Sequence, residues 1–145
     1  MKILFAVDGS EYTVKTAKYL AAHFEWFKGA PELHLLHVKL PIPPGLALAQ
    51  AERMFGDQAV DVYYKEEAMA ALQPAEVILR AEGIAFQSGY RVGDIATEIH
   101  AYASLHKIDL VTMGSHGHGA FRNLLMGSVA TKVLAGLQLP VLIVR

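Results

Sequence analysis

Apolar positions along the chain follow two spacings. Unbroken apolar runs recur at Lys2–Asp8 (KILFAVD), Glu32–Lys39 (ELHLLHVK), Ile108–Met113 (IDLVTM) and Pro140–Arg145 (PVLIVR), with a weaker run at Ala85–Val92 (AFQSGYRV). Runs this short that end in a polar or glycine break read as strands buried on both faces. Between them the spacing becomes helical. Val14, Ala17, Leu20, Ala21 and Phe24 form one stripe of a helix expected from Glu11 to about Lys28, capped by Ser10 and stopped by Gly29-Ala30-Pro31. A second helical stretch is expected over roughly Leu48 to Glu82, bent or split at Gly56 and Pro74 and ended by Gly83. A third runs from about Ile95 to His106 behind Gly93-Asp94, and a fourth, short one covers Ser128–Gly136. The segment LPIPPG, from Leu40 to Gly45, cannot be helix interior.

Strand alternating with helix predicts an α/β fold around a parallel sheet. Ligands of such sheets bind beyond the carboxyl ends of strands, where the winding reverses. The first and fourth runs both end sharply, at Asp8 and Gly114, so if those strands are neighbours their tips define one crevice. No repeat or linker interrupts the 145 residues, and a single domain over 1–145 is expected. Apolar residues make up 53% and charged ones 19%, enough for a packed core.

The net charge of −1 gives no bulk attraction to nucleic acid, and the lack of cysteine excludes disulfides and thiolate metal sites. The opening MKILFAVDGS is too short for a secretory signal and no run reaches membrane-spanning length, so a cytoplasmic protein without membrane insertion is expected. The charge is uneven. From Leu110 to Arg145 there is no Asp or Glu, while Arg122, Lys132 and Arg145 give +3, leaving −4 for the rest. Chance would explain that; so would an anionic ligand.

The segment VTMGSHGHGAFRNLLMGSVATKVL, from Val111 to Leu134, holds four glycines and two histidines between a strand and a helix. No Gly-Lys pair exists for a P-loop. Arg122 stands where a dinucleotide fingerprint needs its third glycine. What remains is Gly114-x-x-Gly117, nine residues, then Gly127-Ser128. Without a Cβ, Gly114 and Gly117 would let a nucleotide lie against their N–H groups. Gly127 and Ser128 place free donors at a helix N-terminus, a natural phosphate site. The dipole contributes only ~0.3–1 kcal/mol per charge. A micromolar ligand needs about 8 kcal/mol, so an apolar slot and a sugar contact are needed as well.

The pattern G-x-x-G-x(9)-G-S resembles the nucleotide-binding loop of the universal stress protein family. The opening VDGS, the run LLHV followed by prolines, VGDIATEI and the closing PVLIVR are similar to that family too. The resemblance covers nearly the whole chain. It implies a five-stranded parallel sheet in the order 3-2-1-4-5 with helices on both faces, Rossmann-like and of the adenine nucleotide alpha hydrolase type. It implies an ATP or AMP ligand, with or without magnesium, bound for regulation in a stress response. A slow ATP hydrolase and a dimeric interaction protein independent of nucleotide are the alternatives.

By the same resemblance, Asp8 contacts the ribose, Ala6, Val7 and Val38 line the base, and Val38 offers its backbone to adenine. Met113 and Gly114 form the ribose and phosphate edge, and Gly117, Gly127, Ser128, Val129 and Ala130 the phosphate contacts. It implies a homodimer through the closing strand and leaves room for an unidentified regulated protein. One departure stands out: relatives often carry Arg after the second glycine, where this chain has His118.

Plainer roles compete for the same residues. Asp8 could serve only as a turn or cap residue, with Glu11 three positions on. Ser128 could be only an N-cap. His116 and His118 have no third metal ligand nearby in sequence. His34 and His37, at odd spacing on one strand, would face opposite sides as structural histidines. Phe24, Trp26 and Phe27 read as packing, and Met54, Phe55, Tyr63 and Tyr64 as core or interface cover.

Overall fold

The computed structural model describes residues 1–45, 49–50, 53–54, 56, 58–118 and 125–145. Five strands, β1 (Lys2–Val7), β2 (Glu32–Lys39), β3 (Phe86–Val92), β4 (Leu110–Gly114) and β5 (Val141–Val144), alternate with helices α1 (Glu11–His23), α2 (Gln58–Ala81), α3 (Ile95–Leu105) and α4 (Ser128–Gly136). All strands pair in parallel, in the order β3-β2-β1-β4-β5. The winding therefore reverses between β1, which pairs with β2 at Val7↔His37, and β4, which pairs with β1 at Ala6↔Met113. The expected crevice lies between these two tips.

Alternation along the strands divides the core into two layers. Ile3, Phe5, Val7, Leu33 and Leu35 pack with Ala17 and Leu20 of α1 and Leu72, Ala75 and Leu79 of α2. Leu4, Leu36, Val38, Val111 and Met113 pack on the other face with Ala96, Ile99 and Ala103 of α3 and Ala130 and Val133 of α4. His34 and His37 do face opposite sides. His34 meets Tyr102 of α3 and Glu32, whereas His37 Nδ1 lies 2.9 Å from the Val7 carbonyl.

Several boundaries differ from expectation. α1 ends at His23 and tightens into a 3₁₀ turn, Phe24–Trp26, before Gly29 takes a φ of +81°. Its inward stripe includes Thr13 and Thr16, which hydropathy alone cannot place. Gly56, at φ +80°, breaks the chain before α2, but Pro74 does not split that helix. Proline removes one backbone donor, and here Ala71, Leu72, Ala75 and Leu79 on both sides of it are buried. β3 starts one residue late and β4 runs from Leu110 to Gly114, not Ile108 to Met113. Trp26 touches Tyr19 and His23 edge-on yet is 69% exposed, so it is not core packing. Of the aromatic stretch on the long helix, Tyr64 is buried, Met54 and Tyr63 are exposed, and Phe55 lies outside the described residues.

Candidate functional site

The β1 tip is built around a hydroxyl that sequence patterning overlooks. Ser10 occupies the N-cap of α1, but its side chain makes no capping bond and its buried Oγ has no partner among the described residues. Thr13, one turn into α1, organises the turn instead. Its Oγ1 accepts from the N–H groups of Asp8 (3.2 Å) and Gly9 (3.1 Å) and donates to Asp8 Oδ1 (2.9 Å). The same carboxylate oxygen accepts from Ser10 N–H at 3.0 Å. Asp8 is thus a turn residue through Oδ1, while Oδ2 is left over.

At the β4 tip the glycines stand close to the protein's own atoms. A Cβ on Gly114 would stand 2.5 Å from Tyr12 Cβ, so this position is bare to let α1 approach β4. A Cβ on Gly117 would stand 2.5 Å from Asp8 Oδ2, and one on Gly127 would press on the Ser115 carbonyl at 3.3 Å. The missing side chains make room for the protein's own walls. Ser115 N–H donates to the Val144 carbonyl (2.8 Å), and the Ser115 carbonyl accepts from Gly127 N–H (2.8 Å), pinning the start and end of the loop to each other. His118, the departure from the family pattern, donates from Nε2 to the Asp8 carbonyl at 3.0 Å and so joins the two lips. His116 is buried, with Nδ1 2.9 Å from Ser115 Oγ and its ring 5.2 Å from that of Tyr12. Arg122 lies outside the described residues.

The third wall is the start of α4. Its N-cap is Gly127, which offers no capping side chain, and the first intrahelical bond comes only at Thr131 N–H to the Gly127 carbonyl (3.0 Å). The N–H groups of Ser128, Val129 and Ala130 precede it and have no helical acceptor. α3 is different, because Asp94 Oδ1 accepts from Thr97 N–H at 3.0 Å and caps it. The fourth wall is β2, which outruns β1. The Lys39 carbonyl accepts from Gly93 N–H on the β3 side, so Val38, one residue back, turns its backbone toward β1. The next N–H on that side, from Gly9, has gone to Thr13.

These walls enclose a cavity of about 520 Å³, within the roughly 300–1,000 Å³ of small-molecule sites. All eleven expected site residues line it: Ala6, Val7, Asp8, Val38, Met113, Gly114, Gly117, Gly127, Ser128, Val129 and Ala130. Sequence reasoning missed Leu36, Ile95 and Ile99, which make its apolar depth, and His37, Lys39 and Ser115. The α3 pair reads as ordinary core spacing, and nothing in the pattern marks it as cavity wall. At the β2 end Lys39 Nζ bonds Glu67 Oε2 of α2 at 2.7 Å; this bond holds the lysine above its ordinary pKa and the carboxyl below its own.

A family model described as the universal stress protein family matches residues 1–145. The chain belongs to the universal stress protein family. This universal stress protein is 30% identical to YxiE of Bacillus subtilis over 152 residues, covering 99% of this chain and 98% of that one. It superposes on the solved protein MJ0577 with a TM-score of 0.76 at 28% identity, covering 99% and 94% of the two chains. The family's fold is shared more widely. An Archaeoglobus fulgidus universal stress protein in complex with dAMP matches at TM-score 0.66 and 21% identity (100% and 98% covered). One from Arabidopsis thaliana with AMP bound matches at 0.65 and 15% (99% and 90% covered).

Proposed function

We propose that this universal stress protein binds an adenine nucleotide, ATP or AMP, in the cavity between the β1 and β4 tips and acts as a regulatory module. The carrying observation is the start of α4, which has no capping side chain among the described residues: three backbone donors and a helix dipole lie at a hollow that also has an apolar lining from Leu36, Ile95 and Ile99. An anionic group suits that end and a flat apolar ring the other. The Val38 backbone, turned toward the open side of β2, suits the donor edge of adenine, and Asp8 Oδ2 suits a sugar hydroxyl. The dAMP and AMP complexes of the two relatives lend the same ligand class support.

Magnesium fits the protein itself less well. Among the described residues no group of three His, Asp or Glu is placed to hold a metal ion, and the segment from Leu110 onward has no carboxylate. Metal would therefore travel with the phosphates of ATP and leave AMP binding unaffected. The test is thermal melting with AMP or ATP, in EDTA and in magnesium. At a hundredfold excess over Kd the stabilisation is about 2.7 kcal/mol. Absence of any shift with either nucleotide at millimolar concentration rejects the reading.

A further inference from the structure

We infer that Thr13 is the positioning residue that makes Asp8 a sugar-hydroxyl acceptor, by holding one carboxylate oxygen so that the other faces the cavity. The inference rests on the nucleotide reading and adds to it a residue that touches no ligand. Thr13 is 2% exposed, and its hydroxyl is fully used: one donated bond to Asp8 Oδ1 and two accepted from the N–H groups of Asp8 and Gly9. A hydroxyl has one proton and two lone pairs, so Thr13 Oγ1 has nothing left for a ligand and acts only through Asp8.

The consequence for Asp8 is geometric. The terminal torsion of an aspartate is broad and roughly two-fold, so a free carboxylate swings. Here Oδ1 is fixed by two donors, Ser10 N–H at 3.0 Å and Thr13 Oγ1 at 2.9 Å. Oδ2 makes no hydrogen bond among the described residues and lies over Gly117, in the space a Cβ there would take. An oxygen so placed, on a cavity-lining residue, accepts from a hydroxyl donor. Adjacent hydroxyls of a ribose supply such donors; a phosphate does not, and the amino donor of adenine is the one the proposed pose directs to the Val38 backbone. Serine at position 13 could make the same three bonds, whereas valine, of nearly the same shape, makes none.

The experiment is calorimetric titration of the full chain with AMP and with 2′,3′-dideoxy-AMP, in the unsubstituted protein and in Thr13→Val, Thr13→Ser and Thr13→Ala. The unsubstituted protein should prefer AMP by about tenfold or more, as for a hydrogen bond to a charged group. Thr13→Val and Thr13→Ala should bring that ratio to within about twofold of unity while binding dideoxy-AMP as before, and Thr13→Ser should restore the preference. A merely structural role would weaken both ligands together and keep their ratio. Should Thr13→Val not fold, Thr13→Ala and the ratio in the unsubstituted protein still decide. Equal affinity for the two sugars in the unsubstituted protein, or an unchanged ratio in the valine and alanine variants, overturns the assignment while leaving nucleotide binding intact. Failure of the unsubstituted protein to bind AMP, dideoxy-AMP or ATP in the same titration removes both readings.

Discussion

Gly114 and Gly117 are three residues apart in one loop, yet their bare α-carbons answer to different neighbours. Gly114 faces Tyr12 of α1, Gly117 the Asp8 carboxylate. Alanine at each should therefore fail differently. In Gly114→Ala the new methyl meets a side-chain stem fixed to a helix, and overpacking of that kind costs ~1–3 kcal/mol. A lowered melting temperature in the absence of ligand checks it. In Gly117→Ala the carboxylate has to turn away. Melting should stay near that of the unsubstituted protein while AMP affinity falls about tenfold, the loss of one charge-assisted bond, measured by titration. Spacing alone makes these glycines visible, and their number suggests closeness to something. It does not say that the something is the protein. That distinction depends on α1 crossing β4, a long-range fact that no local pattern encodes. Thr13 was hidden for the same reason: a threonine inside a helix reads as a neutral filler until Asp8 is seen beside it.

Among the elements, α3 and α4 present opposite N-termini to one neighbourhood. α3 is closed by Asp94; α4 follows Gly127 with no capping side chain over its donors among the described residues. Proline is well suited to the first helical position, where the N–H has no helical acceptor. Gly127, at φ −71° and ψ 159°, already has the extended geometry that precedes a proline. Ser128→Pro should therefore fold and melt normally but lose one donor. AMP affinity should drop about tenfold while adenosine affinity holds, by parallel titrations. At α3 the Thr97 N–H, and then its hydroxyl, hold the Asp94 carboxyl below the usual aspartate range. A depressed folded-state pKa contributes stability above the unfolded value of about 3.9 and loses it as pH falls through the folded one. Asp94→Ala should thus melt below the unsubstituted protein at neutral pH, with the gap closing in acid, followed by thermal melts across a pH series. Element order and type were legible because runs of two spacings alternate cleanly. The persistence of α2 through Pro74 was not, because burial on both sides of the proline outweighs a local rule.

At the scale of the molecule, the sheet has two edges of different character. β3 exposes the polar Gln87, Ser88 and Arg91 along with Tyr90 and Val92, while the four residues of β5, all apolar, are each only partly covered. An apolar edge strand pairs readily with another chain. The expected homodimer would be built there, so Leu142→Lys should lower the mass seen by light scattering; a monomer in the unsubstituted protein rejects the dimer. The strand order could be inferred from the family resemblance but not from periodicity, which is silent on which parallel strands are neighbours.

The single imidazole bridge from His118 to the Asp8 carbonyl spans 110 positions of chain. Its wider meaning concerns timing. The first lip of the hollow precedes the second by 110 positions, with α4 following, so a fragment that stops short of His118 lacks one wall of the hollow. Closing so distant a pair is entropically slow and comes late. A ligand held between the two lips stabilises only a chain that carries both, so cleavage ahead of α4 should remove the proposed recognition and its protective effect in one cut.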